Sequence, residues 1–348
     1  MNLIFLSDFI FAVLSLICLA FASYTDFKKR EVANWISFSL LTVALVIRGI
    51  VGIALSSTFV MTLASFFLVL IFVVGFFIYL KNDKPWLEYI IAAFFIGIWV
   101  LFRNFVPVNE YLISCFLTFG IFVVITNFMY YGKMSGGADV KILLALSVVF
   151  STSPVFLNFN YHLFSPMLGV LPKVFLFDFF VNSIFVGLIF GILFSLFMVI
   201  RNVNDFSKKF KELFKKYLLF VIILVVLGIA LLVFSIFHKF LIVFGILFLV
   251  IPLLILLVFS VQESSMKKLK SWKELTEGDW LVKSIKIGKK VIEPSADGLT
   301  EKDILLIKKS GKKVLVLDGM PFVPVFFIAL IISLIWGNLL FLLLQVLI

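Results

Sequence analysis

LIFLSDFIFAVLSLICLAFASYTDFKKR, residues 3–30, decides the fold class: an apolar run interrupted by one acid, then Asp26, then three basic residues in a row. A helix needs about 20 apolar residues to cross the hydrocarbon of a bilayer, and this run has them. The rest of the chain is built alike, with 63% hydrophobic and 14% charged residues among 348 and a mean hydropathy of +1.23. Such a composition belongs to a polytopic membrane protein. The formal charge of +11 could suggest a nucleic-acid partner, but the Lys and Arg residues collect in the gaps between apolar runs. That placement orients a protein in a membrane, and no nucleic acid is expected as a partner.

The same ruler finds about ten candidate spans, near 3–25, 34–56, 59–80, 87–106, 110–131, 139–157, 179–200, 217–236, 239–261 and 321–346. The first has no basic leader and no A-x-A site, so it reads as a retained helix rather than a cleaved signal peptide. Lys28, Lys29 and Arg30 follow the first span, Lys81 and Lys84 the third, Lys133 the fifth, and a lysine cluster at 208–216 the seventh. The alternate gaps carry only Arg103, Lys173 and Lys239. Every second loop is therefore expected in the cytoplasm, with both termini outside.

Residues 262–320 form the only sizeable polar stretch, with thirteen Lys against nine acids, a net of about +4. GDWLVKSIKIGKKVI (278–292) alternates apolar and polar residues as strands do, and Thr300 with Asp303 makes a helix-capping pair. The expected architecture is an all-α polytopic membrane protein of about ten spans, with a small cytoplasmic α+β domain before the last helix. Its parts are a membrane domain over 1–261, the basic domain over 262–320 and a terminal helix over 321–348.

Carboxylates inside or at the edge of a membrane are costly and point to function. Asp26 closes the first span, and in KMSGGADVKILLAL (133–146) Asp139 opens the sixth behind Gly136 and Gly137. Taken singly, Asp26 reads as an interfacial cap and Asp139 as a first-turn residue meeting free backbone N–H groups. Both fall at the same expected depth on the cytoplasmic side, and two carboxylates sharing a site retain one proton between them. One acid and one base suffice to activate water. The glycines, able to adopt φ > 0, would let a substrate backbone approach Asp139. Asp139, at a helix start, is expected to be the ionised base and Asp26, at a helix end, the protonated acid. Asp8, Asp83 and Asp178 read as ordinary loop or interfacial acids, and His162 and His238 lie on the opposite face. Cys18 and Cys115 sit in apolar runs without metal-site spacing, so they are expected as packing thiols, with neither metal nor cofactor.

These residues resemble the aspartic prepilin and preflagellin peptidases of the archaeal type, members of the GxGD membrane proteases. The likeness rests on GGAD at 136–139, on the Asp26 region with Asn34-Trp35, and on GLTEKDI (298–304) with DGMPFVPVFFIAL (318–330). It implies an aspartic endopeptidase that removes type III signal peptides from pilin-like or archaellin precursors at the cytoplasmic face of the cell membrane. Asp26 and Asp139 correspond to its catalytic pair, with Gly136 and Gly137 beside the substrate. Where relatives have Ile-Pro-Asn after the first aspartate, this chain has Val32-Ala33-Asn34. The spans at 59–106 and 217–261 exceed the compact core of smaller members, and two cysteines give no support for the methyltransferase insert of bacterial relatives. Two alternatives stay open: a presenilin-like intramembrane protease, against which stands YTD in place of YD, and a proton-coupled transporter, which would hold such acids near mid-membrane.

Overall fold

The computed structural model describes residues 3–29, 32–80, 84–105, 110–132, 134–157, 175–237, 241–276, 278–288, 290–295, 298–317, 319–340 and 342. Lys133, Asp83, His162 and His238 lie outside them. The chain divides into two compact units, Met1–Gly187 with Pro321–Ile348, and Leu188–Met320.

The first unit is a helical bundle made of α1 (Leu3–Lys29), α2 (Asn34–Ala54), α3 (Phe59–Leu80), α4 (Pro85–Phe105), α5 (Glu110–Tyr131), α6 (Gly137–Val149), the first part of α7 (Phe175–Arg201), and α12 (Val323–Trp336). At its centre is α5, buried on almost every side and packed against α4, α6 and α2. Lipid offers no hydrophobic drive between helices, so close packing must hold them. Phe72 of α3, Phe95 of α4 and Phe116 and Phe119 of α5 supply it, with Phe72 at 4.9, 5.1 and 5.2 Å from the other three ring centres. Edge-to-face pairs of this kind contribute about 0.5–1.5 kcal/mol each beyond area. Around this core, α6 lies on α2 and α5, while α1 lies on α12 and α2.

Helix lengths sort the ten apolar runs. Among the described residues seven helices are long and apolar enough to cross a membrane, or eight if a bent pair in the second unit is one span. The run expected at 139–157 is helical only to Val149, because the side chain of Arg48 takes the carbonyls of Val148 and Val149 at 2.7 Å each. A helix whose last carbonyls are satisfied from outside has its end fixed there. The run expected at 321–346 is helical from Val323 and turns at Gly337, whose φ of +70° is in the left-handed region.

The second unit continues α7 into α8 (Val203–Lys216), α9 (Leu218–Phe234) and α10 (Leu241–Val261). α9 and α10 cross at Gly228 and Gly245, where a side chain on either would meet the other's carbonyl at about 3 Å. Only glycine allows that approach. A π-helical turn, Gln262–Met266, leads to a three-stranded antiparallel sheet in the order β1 (Lys267–Lys270), β5 (Val314–Leu317), β2 (Trp280–Leu281). β3 (Ile285–Ile287) and β4 (Lys290–Ile292) form a hairpin. Between the hairpin and β5, α11 (Glu301–Ser310) starts on Thr300, whose hydroxyl accepts from the Asp303 N–H while the Asp303 carboxylate takes the Thr300 N–H. Leu281, Ile292, Leu299, Ile307, Val314 and Val316 close a small apolar core.

Candidate active site

Asp139 is the third residue of α6, and Gly136 is the N-cap. The carboxylate turns back and accepts the N–H of Gly136 at 3.1 Å, the acidic half of a capping box. Gly136 is extended, with φ −76° and ψ 162°, and Gly137 is helical; neither glycine has a positive φ. The expectation that they serve through left-handed backbone is therefore corrected. A side chain on either would make only ordinary contacts at 3.6 Å, with Asp139 Oδ2 or with the Tyr130 ring. A small side chain could therefore stand at either position, so neither glycine is required by steric crowding.

Asp26 lies in the last turn of α1, and its Oδ2 accepts the N–H of Val323 at 3.1 Å. Val323 is the first residue of α12, followed by Pro324, which has no N–H to give. The carboxylate of one helix thus caps the first turn of another, 297 positions away in sequence. This changes the setting expected for Asp26: it ends α1 but also meets the positive end of α12. The asymmetry from which Asp26 was assigned the proton and Asp139 the charge is correspondingly reduced.

The two aspartates come together. α1 packs against α6, and the charge of Asp26 acts on Asp139. Both are more than nine-tenths buried, with 9% and 8% of their surface exposed. Next to them Lys141, two residues after Asp139, donates to the side chain of Asn34 at 2.7 Å and ties the start of α6 to the start of α2. The sequence reading passed over Lys141, although a lysine inside an apolar run was the signal for it.

A second charged cluster also went unread. Arg48, 1% exposed, donates to the carbonyls of Val148, Val149 and Tyr111 and approaches Thr152 Oγ1. Its guanidinium lies 4.3 Å from the Tyr111 ring centre, and the Tyr111 hydroxyl reaches toward Asp8. Asp8 also takes the Val155 N–H at 2.9 Å. Asp178 accepts from Asn338, and the neighbouring Asn182 binds Ser333, Gly337 and Leu339, joining α7 to α12. Asp8 and Asp178, expected as loop or interfacial acids, are instead buried members of interhelical networks. Cys18 and Cys115 are free thiols. Among the described residues no three of His, Cys, Asp or Glu come together as a metal site would require. Comparison with protein families, curated sequences and solved structures finds no match to this chain.

Proposed function

We propose that this protein is a membrane-embedded aspartic endopeptidase that removes type III signal peptides from pilin-like or archaellin precursors. The observation that carries the reading is that Asp26 and Asp139, 113 residues apart by their numbering, are both buried on two helices, α1 and α6, that pack against each other. Supporting it are the position of Asp139 in the first turn of α6, behind Gly136 and Gly137, and the seating of Asp26 on the 321–324 segment, both part of the resemblance to the archaeal enzymes.

With one proton between them, the ionised carboxylate takes a proton from water as the oxygen attacks the scissile carbonyl. The protonated carboxyl gives its proton to the carbonyl oxygen, forming a gem-diol. The first carboxyl then protonates the leaving amine as the C–N bond breaks and the second recovers a proton from the diol. The pair ends as it began.

On this reading the site faces the cytoplasm, and α6 and α12, 13 and 14 residues long, bring the apolar membrane helices to ten. The lysine excess of residues 262–320, which hold the strands and α11, is expected in the cytoplasm. The direct test is incubation of membranes containing the protein with a panel of pilin-like precursors and N-terminal sequencing of the products. A new N-terminus at the start of the hydrophobic segment is expected. No cleavage of any precursor by correctly inserted protein, with aspartate-dependent proton flux instead, would favour a transporter.

A further inference from the structure

We infer that α8 is an in-plane membrane helix whose partner is the anionic headgroup layer of the bilayer. α8 and α9 are bent by 74° relative to one another, with Tyr217 between them. α9 is apolar throughout, whereas α8 carries Lys208, Lys209, Lys211, Lys215 and Lys216 against Asp205 and Glu212, a net of about +3 in 14 residues. Five lysines within the hydrocarbon would be prohibitively costly, so the two helices are not one broken span.

The charges of α8 are segregated. At 3.6 residues per turn Val203, Phe206, Phe210, Leu213 and Phe214 fall within a stripe about 100° wide, and every charged residue lies outside it. The phenylalanines stack in a ladder, Phe206 on Phe210 at 5.6 Å and Phe210 on Phe214 at 6.2 Å between ring centres. α10 and the π-helical turn touch α8, and Asn202 bonds to Ser265 there. These neighbours leave the stripe only partly covered: no residue of α8 is buried, and Val203 and Phe214 are exposed.

On the other side Lys209 pairs with Glu212, while Lys208, Lys211, Lys215 and Lys216 are exposed. An apolar stripe beneath exposed lysines, joined at a sharp angle to an apolar helix, matches the boundary where acyl chains meet phosphate groups. The lysine excess selects anionic lipid over zwitterionic lipid, as basic clusters beside membrane helices do. The helix then holds the α9–α10 hairpin at a fixed depth.

The test uses the full chain with Cys18→Ala, since Cys115 is buried, carrying a nitroxide on Phe214→Cys or on Lys211→Cys. Each protein is placed in vesicles of phosphatidylcholine alone or mixed with phosphatidylglycerol. Size-exclusion profile and helical circular dichroism equal to the parent's are required of every variant before it is read. The label at 214 is expected to collide more with oxygen than with a water-soluble nickel chelate, and the label at 211 the reverse. The label at 214 should lie deeper with phosphatidylglycerol, and Lys208→Gln with Lys215→Gln should abolish that difference. Equal exposure of both labels to the chelate would make α8 a free aqueous arm, and shielding of both from either reagent would make it a protein-packed helix. Equal depth in the two vesicle types would remove the anionic partner. Each of these three results overturns the inference.

Discussion

α1 and α6 meet buried charge at both their ends, and the two ends are built to opposite plans. At one end Arg48 is spent on three carbonyls, an aromatic face and the neighbourhood of Asp8 and Tyr111. At the other end, about 27 Å along α1 at 1.5 Å per residue, Asp26 and Asp139 are both buried where α1 meets α6, and each accepts a single backbone N–H. A buried charge that meets donors and acceptors on every side is fixed, and its work is structural. Two carboxyl groups that share a site can instead retain one proton between them, which on the proposed reading is their chemical use.

Removing charge at each end separates the two plans, with the largest effect at the aspartates. Asp26→Asn and Asp139→Asn keep an oxygen for the N–H groups of Val323 and Gly136, so both proteins should insert and fold. Each should lose at least about 10²-fold in precursor cleavage, the usual contribution of an acid or base. Near-parental turnover in either would dissolve the contrast between the two ends.

Orientation gives the next test, because on the proposed reading the aspartates face the side where precursors wait. Cysteines at Ser207 and Ser310 should resist an impermeant thiol reagent in intact cells and react once the membrane is opened. Labelling in intact cells would put the dyad on the wrong face.

At the structural end, Arg48→Met should destabilise the purified protein by about 1–3 kcal/mol for each of the three buried carbonyls left without a donor, read from thermal unfolding in detergent. Arg48→Lys should rescue it only in part, since an ammonium lacks the planar fork that spans three carbonyls. Cleavage by the folded fraction should stay near parental. A strong loss of catalysis without loss of stability would mean the two ends are coupled.

Smaller changes sharpen the picture. Gly136→Ala suits the backbone there and meets only an ordinary contact at 3.6 Å, so stability should move by under about 0.5 kcal/mol. If the backbone at Gly136 meets substrate, cleavage falls about tenfold, or ~1.4 kcal/mol of barrier; parental cleavage would remove Gly136 from the binding surface. Thr300→Ala should cost about 1 kcal/mol of α11 stability, visible as faster amide exchange there, with cleavage untouched.

The sequence by itself determined what depends on residues near one another in the chain. Apolar length marked the seven helices that, among the described residues, are long enough to cross a membrane, and Thr300 with Asp303 marked the start of α11, because transfer energy adds along a segment and a cap spans three positions. It also singled out Asp26 and Asp139 as charges where charge is costly. Tertiary structure alone decided that the Val323 amide meets Asp26, that Arg48 reaches 100 residues onward to end α6 at Val149, and that Asp8 and Asp178 are buried in networks. In water, a helix announces its buried face by an apolar stripe; in lipid, the outward face is as apolar as the inward one, so periodicity carries no record of which helices touch. Partnerships set by packing then become legible only once the helices are assembled.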